Sequence, residues 1–373
     1  MNKAGRLAPR FSARATLVLI FGGTFLLGCF QKAVPIDIVW PLPPDPPRIR
    51  YVRPIRASSD VERSSMSEAL GRLLLGGQKK IYVLKKPYGV HVDSSGRLFV
   101  ADTGWGKVLV FDLKNHEFGF LGDGAAGQLS KPGCVATDQD GTIYVSDLIL
   151  HRVYVYDRDL QFKRGLGNEK SFKQPVGIAI DRTRRRVYVV DALKHQVVIF
   201  DTAGREVGTF GKRGGGKGEF NYPSNIAVAA NGDLYVTDTF NFRVERFDAS
   251  GKYLGEWGRV GDRPGMFTRP KGIAIDHEGH IYVADAAFRN VQVFTPDGKL
   301  LLFFGGAGRD LGQFYLPAGI EVTPEGTIYV ADQLNRRIDV LRYLGGVGAS
   351  TPTGSPSSSG GGKEVTSGKS KEK

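Results

Sequence analysis

The residues of this 373-residue chain with the widest chemical range are its six histidines and a recurring aspartate. Asp102, Asp147, Asp191, Asp238, Asp285 and Asp332 each close an apolar run. Calcium binding or general-acid chemistry would use such carboxylates. One aspartate at the end of the same strand in every repeat reads better as a loop brace, accepting backbone N–H bonds from the turn that follows. His151 and His195 occupy equivalent loop positions in adjacent repeats, which raises the question of a metal. The same column holds Gly106, Phe242, Arg289 and Arg336, so no metal is expected there. His116, His277 and His280 fall in turns and read as solvated. His91 differs, because its column runs His91, Ala136, Ala179, Ala227, Ala274, Glu321. Four alanines mark a tight position. If the repeats close into a ring, the first and last become neighbours, and His91 and Glu321 meet near its channel as a charge-assisted pair. The expected role is to fix the closure register; the alternative is a catalytic pair with His91 as general base.

The other reactive surface is adhesive. The loops that follow the aspartates read TGWGK, LILHR, ALKHQ, TFNFR, AAFRN and QLNRR. Trp105, Phe240, Phe242 and Phe288 stand beside Arg152, Arg243, Arg289, Arg336 and Arg337, and aromatics with arginine are the types enriched at binding surfaces. The arginines have a second reading, as braces between neighbouring repeats. Ser224 and Asn225 replace the x-Gly of other repeats, and Tyr88 and Lys271 follow a repeat proline at the expected channel mouth. All four are candidate ligand contacts.

These residues need a frame. Prolines 87, 132, 175, 223, 270 and 317 open six repeats spaced by 45, 43, 48, 47 and 47 residues. Within one repeat, IAVAANGDLYVTD reads as strand, Asn-Gly turn, strand, and RVERFD and KYLGEWG as two more strands. Four-stranded antiparallel units at this period predict an all-β, six-bladed propeller. The sixth repeat lacks its last strand, and RIRYVRPI (48–55) is predicted to supply it and close the ring, which removes two exposed edges. Ser59 to Gly77 carries Met66, Ala69, Leu70, Leu73 and Leu74 at helical spacing and predicts a short helix near 60–75.

The flanks are of another kind. Of the net charge of +13, Lys3, Arg6, Arg10 and Arg14 supply four and the tail beyond residue 346 two, leaving +7 on residues 29–346. That mild excess suits an anionic partner without demanding nucleic acid. The cationic start, the 13-residue apolar run ATLVLIFGGTFLL and a small residue follow signal-peptide grammar, and the run is too short to span a bilayer. Of the two cysteines, Cys134 reads as a buried free thiol. Leu26-Leu27-Gly28-Cys29 resembles a bacterial lipobox, which implies cleavage before Cys29 and acylation of that residue; two or more acyl chains anchor stably where one does not. Phe30 follows it, with no inner-membrane retention signal, which favours the outer membrane. PLPPDPP (41–47) predicts a stiff spacer, and the Gly/Ser/Lys tail predicts disorder. The expected organisation is therefore a signal peptide over 1–28, a lipidated tether over 29–47, the propeller over 48–346 and a tail over 347–373.

The repeats PKGIAIDHEGHIYVADAAFRNVQVF (270–294) and PAGIEVTPEGTIYVADQLNRRIDVL (317–341), with linkers such as GKRGGGKGEFNYP, resemble NHL repeats over roughly residues 85–345. The resemblance implies a six-bladed propeller and leaves function open. In one similar enzyme, the peptidyl-hydroxyglycine amidating lyase, zinc histidines directly follow the repeat proline. Here those positions are Tyr88, Gly133, Val176, Ser224, Lys271 and Ala318, so the likeness ends at the scaffold. The expected function is a lipid-anchored, extracytoplasmic module of the bacterial envelope that binds or scaffolds a protein, peptide or glycan, monomeric and without cofactor. The alternative is a lyase or hydrolase at the channel mouth using His91, Glu321, Tyr88 and Lys271. Export argues against nucleic acid.

Overall fold

Alternation of buried and exposed residues, Asn-Gly or Asp-Gly type turns and aromatic-rich runs give short antiparallel strands throughout. The computed structural model describes residues 37–63, 80–122 and 124–345, and its twenty-five strands, β1 to β25 in chain order, form six sheets. Blade 4 is typical: Pro223–Val228, Leu234–Asp238, Arg243–Phe247 and Tyr253–Trp257 pair in sequence as an antiparallel meander. The chain is a six-bladed β-propeller of four-stranded blades.

Sheets in a propeller bury both faces against their neighbours, and the core is divided accordingly. Six hydrophobic clusters are found, one at each interface between consecutive blades. The column Phe99, Tyr144, Tyr188, Tyr235, Tyr282, Tyr329 supplies a buried ring from the second strand of every blade. Inner strands touch most closely one residue further along than the channel-mouth position. A Cβ on Gly272 would lie 2.2 Å from the Ala318 carbonyl oxygen, and one on Gly319 2.5 Å from that of Tyr88. Glycine is required there by the approach of two backbones.

The ring closes as the sequence predicts. Ile49–Ile55 pairs antiparallel with Arg337–Tyr343, the third strand of blade 6, and completes that blade. Tyr51 then donates its hydroxyl to the buried Asp339 at 2.8 Å, tying the first strand to the last. A fifth strand, Val39–Trp40, was not expected. It alters the tether: PLPPDPP is the connection of a hairpin, with Arg48 N–H donating to the Trp40 carbonyl at 2.7 Å, and not a rod projecting from the domain. The reason is apolar, since Ile38 and Trp40 pack on the cluster between blades 5 and 6, Trp40 lying 5.9 Å from Phe304. The propeller therefore includes Val39–Trp40, inside the stretch that the sequence assigns to the tether.

The predicted helix falls mostly outside the described residues, as do the signal peptide, Cys29 and the tail. No helix among the described residues is long and apolar enough to cross a membrane.

Candidate binding site on the loop face

The six aspartates are fully buried and build one face of the ring. Asp285 accepts from the N–H groups of Thr268 and Arg269, just ahead of the repeat proline, and from those of Ala287 and Phe288, just after itself. Asp102, Asp147 and Asp191 do the same in their blades. Each carboxylate thus latches the incoming linker to the following loop, a larger job than bracing one turn. The column Gly106, His151, His195, Phe242, Arg289, Arg336 also has a backbone meaning: all six have positive φ, between 52° and 64°. His151 and His195 share a conformation, and their Nδ1 atoms turn to different backbone partners. His151 Nδ1 meets the Lys173 carbonyl at 2.7 Å, and His195 Nδ1 accepts the Tyr222 N–H at 3.1 Å.

Several expected contact residues prove to be internal. Arg243 is 7% exposed and pairs with Asp238 at 3.1 Å, Glu245 at 2.9 Å and Glu256 at 2.8 Å, while also donating to the carbonyls of Gly215, Gly216 and Glu219. It is a brace, and the binding role read from sequence is corrected. Arg337 repeats the device with Asp339 and the carbonyls of Arg309, Asp310 and Gln313. Trp105 is half-buried, donates Nε1–H to the Val83 carbonyl and lies under Lys85 Nζ, 3.5 Å from its ring. Phe242 packs on the cluster between blades 4 and 5. Ser224 donates to the Lys271 carbonyl and receives the Thr239 hydroxyl, which serves the junction of blades 4 and 5, whereas Asn225 bonds within blade 4 and lies against Gly177 of blade 3. Phe288 is half-buried beside its latch. Arg289 lies 5.0 Å over the Tyr315 ring, and Arg336 remains exposed.

What stays free is a different column. Two residues after each latch aspartate stand Gly104, Ile149, Leu193, Phe240, Ala287 and Leu334. The four large ones are 50%, 42%, 44% and 49% exposed in that order, a recurring set of apolar side chains on the loop face of blades 2, 3, 4 and 6. Only Phe240 was singled out in the sequence; the aliphatic members carry the same periodic signal. Blade 4 departs from the others beside it. Tyr222 takes φ 51° and turns its N–H to His195 instead of the latch, and its ring packs 4.8 Å from His195 and 5.3 Å from Phe240. A bulky residue in that region costs roughly 1–3 kcal/mol and is held by its surroundings, a pattern concentrated at functional sites.

At the centre opens a channel of about 1050 Å³ lined by the inner strands of all six blades. His91 and Glu321 meet there as predicted, Nδ1 to Oε1 at 3.4 Å, and His91 Nε2 contacts Thr137 Oγ1 at 2.9 Å. With both ring nitrogens engaged across three blades, the pair fits the closure role better than that of a free base. Cys134, a free and half-buried cysteine, lines the wall, its thiol pushed up to about 11 by burial. At the mouth, Lys271 Nζ lies 5.2 Å over the ring of Tyr88. Burial, then the like charges of Arg269 and Lys86, push the Lys271 amine down to about 8, and burial raises the Tyr88 phenol.

Among the described residues, Asp276, Glu278 and His280 form the one grouping of three metal-type side chains. Asp276 already accepts from the N–H groups of Glu278 and His280 and from the Tyr282 hydroxyl, so its oxygens are committed to the hairpin.

Comparison with known proteins agrees on the scaffold. A family profile described as a 6-bladed beta-propeller matches residues 177–258, and one described as the SMP-30/Gluconolactonase/LRE-like region matches 219–302. Protein brain tumor of Drosophila melanogaster is 30% identical over 131 residues, 34% of this chain and 12% of that protein. Among solved structures, a streptogramin B lyase is 14% identical, with TM-score 0.54 over 70% of this chain and 94% of its own. Virginiamycin B lyase from Staphylococcus aureus is 15% identical, with TM-score 0.53 over 70% and 96%. An auxiliary nutrient binding protein from Bacteroides thetaiotaomicron is 16% identical, with TM-score 0.57 over 70% and 69%. At these identities the likeness is one of fold alone.

Proposed function

We propose that the protein is a lipid-anchored, extracytoplasmic envelope module, held by acylated Cys29, that binds a protein or peptide partner with its loop face. The observation that carries the reading is the repeated exposure of Ile149, Leu193, Phe240 and Leu334 on the loop face. The loop architecture would be satisfied by polar residues at these positions, because Ile149 and Leu193 serve the latch, and Phe240 the Asn221 carbonyl, with their backbone N–H groups alone. An exposed apolar patch with an arginine rim is the ordinary composition of an interface core. A variant with all four changed to Ser keeps the blade interfaces and is expected to fold normally while losing chemical-crosslink capture of the partners held by the wild type. Equal capture by both proteins overturns the reading. Acyl labelling that persists in Cys29→Ala overturns the anchor.

A second reading, an enzyme working in the channel, is favoured by one observation: a half-buried lysine whose amine is pushed down to about 8. Substrate turnover that disappears in Lys271→Met, with partner capture intact, would replace the first reading with the second.

A further inference from the structure

The mouth of the channel holds a lysine that the fold leaves without a counter-charge. Lys271 sits on the wall, while Arg269, two residues before it, and Lys86, ahead of the first inner strand of blade 1, are exposed outside the lining yet near enough for their charges to act on it. Among the described residues no ion pair joins any of the three to a carboxylate. They repel one another closely enough that Arg269 and Lys86 both disfavour the Lys271 charge. The contrast within the same molecule is informative. Buried Arg243 and Arg337 each have carboxylates and three carbonyl oxygens within reach, so this fold pairs an internal cation wherever the cation is structural. Lys271 has instead a tyrosine ring at 5.2 Å and a wall of small residues, Gly133, Val176 and Ala318. Concentrated like charge in a partly desolvated mouth creates a potential that draws in an anion.

We propose that this mouth is a receptor for one oxyanion, a carboxylate or a phosphate, of a ligand whose remainder occupies the channel. Lys271 donates to the anion with Arg269 and Lys86 supplying longer-range attraction, and the Tyr88 hydroxyl, on the same wall, closes the site as a further donor. The site does not depend on whether the rim of the same face holds a macromolecule, and its test uses small anions only.

The test is competitive amine labelling of the purified full chain in detergent at pH 8, read by mass spectrometry at each lysine. The added anions are inorganic phosphate, acetyl-triglycine and acetyl-triglycine amide. A bound anion raises the lysine's proton affinity, and at pH 8 a rise of one pKa unit from about 8 slows labelling of the free amine about fivefold. Labelling of Lys271 is expected to fall at least threefold with phosphate or with the free-acid peptide, while exposed Lys131 and Lys173 are unaffected. Protection by phosphate alone assigns a phosphate ligand; protection by the acid alone assigns a carboxylate. Arg269→Gln and Lys86→Gln change exposed side chains, so they preserve the fold and should each weaken protection. The proposal is overturned if neither anion protects at millimolar concentration, if the amide protects as well as the acid, or if both variants protect as the wild type does.

Discussion

Replacing Arg243 by Met separates a brace from a contact residue. The guanidinium pairs with two fully buried carboxylates, Asp238 and Glu245, with the partly exposed Glu256, and with three carbonyls of the 214–219 loop. Methionine fills much of the volume and removes every donor. Leaving a buried ion pair with one partner costs about 3–5 kcal/mol, because the remaining charge has lost its compensation. Against a total stability of about 5–15 kcal/mol, that is a large fraction. Burial already pushes the Glu245 carboxyl up, and without Arg243 it rises further. An acid whose folded pKa is raised contributes stability that is present below its unfolded value and lost as pH rises; with the folded value at about 8 beside Arg243, a further rise enlarges the penalty only as the pH climbs through about 8. Urea unfolding at pH 7.5 and 9 measures both effects, and an unchanged m-value would show that the midpoint shift is a stability change. Phe240→Ser, in the exposed apolar set, should cost no more than about 0.5 kcal/mol. If Arg243→Met lies within about 1 kcal/mol of wild type at pH 7.5, the brace assignment fails.

Three further outcomes follow from the geometry. Gly272→Ala forces a Cβ onto the Ala318 carbonyl and should destabilise by about 1–3 kcal/mol, whereas Gly255→Ala, with open space at its Cβ, should be close to neutral; equal urea midpoints for the two would refute the close-approach argument. Burial and Arg213 hold the His195 proton affinity below its ordinary value, so its stabilising contribution is present above about pH 6.5 and is lost as the pH falls through the depressed folded value. Thermal melts should show that His195→Asn, which tolerates the positive φ, flattens this acid sensitivity; an unchanged pH profile would contradict it. Tyr51→Phe leaves the buried Asp339 short of a donor and should cost about 1–3 kcal/mol in the same unfolding assay, with no loss if the closing strand is only loosely held.

Repeat columns carried much of this architecture. Prolines, latch aspartates and the missing last strand specified blade number, connectivity and closure, because each is a backbone requirement repeated six times. The His91–Glu321 encounter followed from the same periodicity. Columns cannot show what a long side chain reaches. Arg243 and Arg289 are alike in type and adjacent in register, yet one lies in a three-carboxylate cage and the other over Tyr315, because Glu245 and Glu256 occur only in blade 4. The two-residue strand Val39–Trp40 was hidden by the prolines after it, its pairing depending on apolar contacts with blades distant in sequence. The exposed apolar column is written in the register of the blades, but among Ile149, Leu193, Phe240 and Leu334 only the aromatic Phe240 differs in type from the aliphatic residues that fill the core. The Tyr222 departure had no sequence signal beyond a large residue before the proline.

The central claim is that the loop face is where a partner docks. Site-specific photocrosslinking in cells tests it most directly, with the probe placed in turn at Leu193, Phe240 and Leu334 on the loop face and at Val207 and Leu301, exposed residues of outer strands. The account predicts one discrete adduct shared by the three loop-face positions and absent from the two outer ones. Adducts at Val207 or Leu301 with none on the loop face would contradict it.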